Sequence, residues 1–203
     1  MADSPPVTLT QRLRRLTAGF MARLGMAIHR AGIHPDAITA AGLVVVAIAA
    51  VFIGRGDLQL GGIILLLSLP LDALDGAVAR AMQRKGKFGA LLDSTFDRYA
   101  DGFIFAALSY YFAVQDRFGM MLLAMAAMTG SFLVSYIRGR AGGLDLDVQI
   151  GLFSRVERVI VIVLMLLIPA LLEIGIWVLA VGTNFTVMQR LWFAYKALKD
   201  REG

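Results

Sequence analysis

Six apolar runs separated by short polar turns constrain this chain more than any other feature. They cover about 37–54, 59–80, 88–113, 118–137, 156–172 and 176–195. Each is near the roughly 20 residues that an α-helix needs to cross the hydrocarbon of a bilayer. Backbone groups in a bilayer find no water, so such segments satisfy their own hydrogen bonds as helices. A chain of 203 residues that is 58% hydrophobic is also too apolar for an ordinary soluble domain. The expected fold is an all-α integral membrane protein with six transmembrane helices.

Ahead of the first run, Leu9, Leu13, Leu16, Phe20 and Leu24 share one helical face, while Arg12, Arg14, Arg15 and Arg23 lie mostly elsewhere. That pattern predicts an N-terminal amphipathic helix over 9–30, lying in the membrane interface. The opening MADSPPVTLT holds an acid and two prolines and precedes no short apolar core, so it does not read as a cleaved signal peptide. No linker or repeat divides the sequence. Residues 1–203 therefore read as one domain with a membrane core over 37–195.

The net charge of +5 does not point to nucleic acid, because the basic residues flank the apolar runs. With six spans both termini lie on one side. That side takes all but three of the 20 basic residues, the exceptions being Arg55, Arg98 and Arg117. Positive residues favour the cytoplasm, which places both termini there in a multi-pass cell-membrane protein. Trp177 and Trp192 fall near opposite ends of the sixth run, as interfacial anchors do. The absence of cysteine excludes disulfides, thiolate metal sites and a cysteine nucleophile.

Against this apolar background stand four acids, Asp72, Asp75, Asp93 and Asp97. Charge within apolar helices is costly and is usually paired, solvated or functional. Asp72 and Asp75 are spaced i,i+3, and Asp93 and Asp97 i,i+4, so each pair shares a helix face. The basic loop at 83–87 is short, which makes the two helices neighbours and lets the four carboxylates converge. Such oxygen ligands suit two hard divalent cations, Mg²⁺ or Mn²⁺. Two cations offset the acids' repulsion and suit displacement at phosphorus. Gly76 and Gly89 cost helix stability, which close approach of a helix or a ligand explains. Arg80 can grip a phosphate or anchor at the membrane edge. Asp101 extends the i,i+4 series one turn deeper and can orient Arg98 or a ligand, or line a cavity.

The pattern Asp72-x2-Asp75-Gly76-x2-Ala79-Arg80-x8-Gly89-x3-Asp93-x3-Asp97 resembles, without a departure, the signature of the CDP-alcohol phosphotransferases. The resemblance implies transfer of a phosphatidyl group from CDP-diacylglycerol, or a related CDP-lipid, to an alcohol with release of CMP. It implies metal ligands at Asp72, Asp75, Asp93 and Asp97, and a general base at Asp97. It places Gly76, Ala79, Arg80 and Gly89 beside the CDP group, and it implies a homodimer with a cavity open to the cytoplasm. Where family members often have Pro-Asn-x-x-Thr, this chain has Pro35-Asp36-Ala37-Ile38-Thr39, and Asp36 reads as a helix cap.

The second half resembles the phosphatidylinositol phosphate synthase branch of that family. The matching residues are Ser135-Tyr136-Ile137-Arg138-Gly139-Arg140-Ala141, Arg155-Val156-Glu157-Arg158 and Gln189-Arg190-Leu191. The branch holds inositol phosphate with basic residues that match Arg138, Arg158 and Arg190. Arg138 stands where the branch usually has Lys, Gly142 where it has Glu, and Val156 where it has Pro. Arg for Lys keeps charge but changes geometry. Inositol phosphate is the expected acceptor, with glycerol 3-phosphate or another alcohol as the alternative. An intramembrane cation transporter is the reading from another class. It leaves Arg80 idle and finds no comparable acids in the first, fifth and sixth runs to continue a path.

Overall fold

A computed structural model describes residues 27, 30, 32, 34–81 and 87–202, with the backbone alone for 35, 71–81 and 202. The interfacial helix expected over 9–30 lies almost entirely outside the described residues, as do Arg84 and Lys85. Among the described residues all regular structure is helical. Helices α1 (Pro35–Arg55), α2 (Leu58–Ala81), α3 (Lys87–Ala113), α4 (Phe118–Gly142), α5 (Arg155–Leu167) and α6 (Leu172–Glu202) follow in order, with a 3₁₀ turn at Pro169–Leu171. Each of the six apolar runs is a helix. Three stretches, Asp36–Arg55, Phe118–Gly142 and Pro169–Arg201, are long and apolar enough to cross a membrane. The rest differ for visible reasons. The apolar part of α2 ends near Pro70, α3 carries the acids, and α5 has 13 residues.

Local sequence explains the boundaries. Pro35 occupies the first position of α1, where its missing N–H costs nothing. Asp36 therefore sits inside the first turn and favours the helix's positive end, rather than capping it. His34 precedes it, and its Nδ1 is 3.3 Å from the Asp36 N–H nitrogen and 3.3 Å from Oδ2. Three helices stop with the same paired hydrogen bonds. Asp57 N–H donates to Phe52 and Gly56 N–H to Ile53; Arg117 donates to Phe112 and Asp116 to Ala113; Leu146 donates to Ala141 and Asp145 to Gly142. The motif needs one left-handed residue, supplied by Gly56 (φ +95°), Asp116 (φ 56°) and Asp145 (φ 54°). The turn expected at Glu173–Gly175 lies earlier. Pro169 has no N–H to continue α5, and Glu173 falls in the first turn of α6, where a carboxylate is favoured.

The chain divides into two compact units, Met1–Gly42 with Ser68–Phe96, and Leu43–Leu67 with Asp97–Gly203. In the first unit Ile38 is buried, and a Cβ placed on Gly89 would lie 3.6 Å from Asp36 Oδ1. The second unit is centred on Ile53, Phe105, Leu108, Leu166, Ile176 and Leu179. Small and hydroxyl side chains also fill its interior, among them Ala124, Ala127, Ser131, Thr183 and Thr186. Large apolar side chains such as Leu67, Leu122, Val181 and Trp177 face outward. Small residues at close helix contacts and large apolar residues facing outward fit helices packed in lipid.

Gly130 of α4 shows how close these helices come: a Cβ there would collide with Thr183 and lie 2.9 Å from Asn184 Nδ2. Gly119, on the same helix, has nothing within 4 Å of such an atom. Gly130→Val is expected to destabilise the protein by about 1–3 kcal/mol through overpacking, while Gly119→Val leaves it nearly unchanged. Thermal unfolding of both variants in detergent checks this contrast.

Candidate active site

The acids of α3 follow one helix face at successive turns, as Asp93, Asp97 and Asp101. Asp72, Asp75, Gly76, Ala79 and Arg80 all lie on the helical backbone of α2, and their side chains are outside the described residues. Among the described residues no group of three or more possible metal ligands gathers. The donors that are described, Asp93 and Asp97, are hard oxygen ligands one turn apart on α3.

Asp97 is the more fully defined of the two. Arg98 donates Nη2 to its Oδ2 at 3.1 Å, and Arg155 Nη2 lies 2.6 Å from its Oδ1. Both oxygens therefore face cationic groups, which neutralise this carboxylate. Arg155 is the first residue of α5, on the wrong end of that helix's dipole. The carboxylate opposite compensates for it. Ser154 precedes α5 and donates its hydroxyl to the Glu157 carboxylate in the first turn.

One turn deeper, Asp101 is buried and accepts two hydrogen bonds at Oδ2. Ser131 Oγ of α4 donates at 2.5 Å and Arg158 Nη2 of α5 at 2.9 Å. Of the sequence alternatives for Asp101, orienting Arg98 fits least, because the hydrogen bond of Arg98 goes to Asp97. Arg98 nevertheless lies within the electrostatic reach of Asp97, Asp101, Arg155 and Arg158. The Nε atoms of Arg98 and Arg158 are buried without a hydrogen-bond partner.

The three arginines expected to hold the acceptor phosphate are near one another: both Arg138 and Arg158 act electrostatically on Arg190. Their surroundings differ. Arg138 is exposed near the end of α4, Arg158 is almost wholly buried against Asp101, and Arg190 is 3% exposed. Arg190 donates Nε to the Ile150 carbonyl at 2.9 Å and Nη1 to that of Val134 at 2.5 Å. It thus fastens the loop at 143–154. Thr186 Oγ1 and Gln189 Oε1 accept from Phe153 N–H and Leu152 N–H of the same loop, and Arg201 donates to the carbonyls of Leu144 and Asp145. Sequence reasoning missed Arg155 and Ser131 as site neighbours. The signal for Arg155 was present in the matching spacings, i,i+4 on α3 against i,i+3 on α5.

A family model of CDP-alcohol phosphatidyltransferases matches residues 32–188. The chain is 34% identical over 175 residues to the archaetidylinositol phosphate synthase of Methanothermobacter thermautotrophicus, covering 84% of this chain and 87% of that one. It is 33% identical over 172 residues to the phosphatidylinositol phosphate synthase of Mycolicibacterium smegmatis, covering 80% and 78%. The fold is similar to the crystal structure of Mycobacterium tuberculosis phosphatidylinositol phosphate synthase with CDP-DAG bound. The TM-score is 0.82 at 30% identity, over 86% of this chain and 93% of that one. The same enzyme in complex with manganese and citrate gives a TM-score of 0.81, over 86% and 88%.

Loss of Arg190 should first be felt in the loop it fastens. Arg190→Leu removes charged donors from two carbonyls, each such bond contributing about 1.5–3 kcal/mol. The variant is expected to unfold at lower temperature and to be cut faster within 143–154 by added protease than wild type.

Proposed function

The chain belongs to the CDP-alcohol phosphatidyltransferase family, and we infer that it transfers a phosphatidyl group from CDP-diacylglycerol to inositol phosphate, releasing CMP. The observation that carries the choice of acceptor is the match to two inositol phosphate lipid synthases over 84% and 80% of this chain. Arg138, exposed near the end of α4, is a cation available to a phosphorylated acceptor. The named relatives, matched over more than three-quarters of this chain, agree with it. One of them is an archaetidylinositol phosphate synthase, so a CDP-lipid with other chains is a second reading of the donor.

In this reading the four aspartates of α2 and α3 hold two divalent cations, Mg²⁺ or Mn²⁺. When bound, the metals neutralise the diphosphate and stabilise charge on the leaving CMP. Gly76, Ala79, Arg80 and Gly89 border the CDP group, the glycines leaving room and Arg80 meeting phosphate. The arginines orient the acceptor so that its hydroxyl faces the lipid-linked phosphorus. Asp97 accepts the hydroxyl proton as the new P–O bond forms and the bond to CMP breaks. A carboxylate is a weak base, so proximity contributes more than basicity.

The same reading makes residues 1–203 a single domain of six transmembrane helices behind an interfacial helix over 9–30. It places both termini and the site on the cytoplasmic side of the cell membrane, in a homodimer. The distribution of basic residues supports the orientation.

The test is CMP release and lipid labelling by protein in bilayers, with a panel of acceptors. Labelled inositol phosphate should enter the lipid fraction ahead of glycerol 3-phosphate and other alcohols. A chelator should abolish turnover, and Mg²⁺ or Mn²⁺ should restore it. Asp97→Asn should lower kcat by about 10²–10⁴-fold, and Arg138→Gln should raise KM for the phosphorylated acceptor. Label that stays out of the lipid overturns the choice of acceptor, and near-normal CMP release by Asp97→Asn removes that residue from the chemistry.

A further inference from the structure

Two acids on α3 and two arginines on α5 meet in register. Asp97 and Asp101 are one turn apart, as are Arg155 and Arg158. The outer pair, Asp97 with Arg155, closes at 2.6 Å, and the inner pair, Asp101 with Arg158, at 2.9 Å. Their surroundings set them apart. Side-chain exposure is 12% and 38% for Asp97 and Arg155, but 8% and 2% for Asp101 and Arg158. The inner pair is also bound to α4, because Ser131 donates to the same Asp101 oxygen.

Exposure decides which pair can exchange partners. Opening the inner pair would strand charge in an apolar interior, which is strongly unfavourable. The outer pair can release Arg155, which is 38% exposed, to water at lower cost, while Asp97 keeps its bond to Arg98. Arg155 gains nothing from its own helix, since it stands at the positive end. Its place beside Asp97 follows from the register of α5, and the inner pair fixes that register.

We propose that Arg155 competes with a divalent cation for the Asp97 carboxylate, and that Asp101, by pinning Arg158, is the positioning residue that keeps Arg155 in that competition. The proposal rests on the reading of Asp97 as a metal ligand. A divalent cation would bind a carboxylate oxygen at about 2.0–2.6 Å, and Arg155 Nη2 stands 2.6 Å from Asp97 Oδ1. The two cations repel, so one must move aside for the other. Without metal, Arg155 keeps the carboxylate neutralised, and metal entry displaces it.

The experiment is a direct titration of the purified full chain in detergent with Mn²⁺ alone, with no substrate present. Arg155→Gln should bind Mn²⁺ about two- to fivefold more tightly than wild type, the range expected for loss of a half-exposed ion pair. The double variant Asp101→Asn/Arg158→Gln removes both inner charges together, so none is stranded, and it should shift affinity in the same direction. Adding Arg155→Gln to that double variant should give no further gain, because one interaction is lost by either route. Ser131→Ala loosens the inner pair without changing charge. It should shift affinity the same way, and it serves if the double variant does not fold. Unchanged or weaker Mn²⁺ binding by Arg155→Gln overturns the competition. Fully additive shifts overturn the role of Asp101. Asp97→Asn separates the premise from the inference. If it keeps every Mn²⁺ equivalent, the metal reading of Asp97 fails and the proposal with it. If it loses one while Arg155→Gln binds as wild type does, the proposal alone fails.

Discussion

A carboxylate buried in an apolar helix bundle has to be answered, and Asp101 is answered twice, by Ser131 from α4 and Arg158 from α5. This small network joins three helices at one oxygen. Helix α5 depends on it most. It is 13 residues long, it begins with arginine at its positive end, and Pro169 ends its backbone ladder soon after. Its apolar face, with Ile162, Met165 and Leu166 buried, supplies adhesion but is indifferent to sliding. A directional charge pair supplies the register that adhesion does not.

Around that network the second unit is built as a lipid-facing bundle would be. Close approach comes from Gly130, Ala124 and Ala127, while leucine, valine and tryptophan turn outward. Close packing brings charged helix ends together: Arg98 and Arg155 meet Asp97, and Arg158 meets Asp101. These carboxylates are neutralised by internal partners.

The sequence was informative where physics is local. Helix positions followed from apolar run length, and the turns at 54–57 and 115–117 from glycine and aspartate that tolerate a left-handed backbone. The break before α6 was misplaced because Glu173-Ile174-Gly175 looks like a turn. Pro169 prevails there through its missing N–H, and Gly175 instead allows close approach to Met165. The charges of the candidate site were legible one residue at a time, through the cost of placing them. Their partners were not, because Asp101 and Ser131 are 30 positions apart, and Asp101 and Arg158 are 57 apart. Only packing decides such contacts. Arg190 illustrates the limit: its type and place pointed to phosphate, and spacing held no hint that two carbonyls would claim it.

The loop at 143–154 is fastened almost wholly through its main chain. Arg190, Arg201, Thr186 and Gln189 of α6 grip carbonyls and amides at Leu144, Asp145, Ile150, Leu152 and Phe153. Groups common to every residue type do the holding, so the loop's shape is encoded in the helix opposite it. Its own spelling is restricted at Asp145 (φ 54°) and Gly151 (φ +128°), at Leu146 and Val148, which pack on Ala194, Ala197 and Leu198, and at Phe153, which packs on the core. Descendants of this chain can therefore rewrite most of the loop's side chains while keeping its path. Drift should gather there, and the four fastening side chains should change slowly.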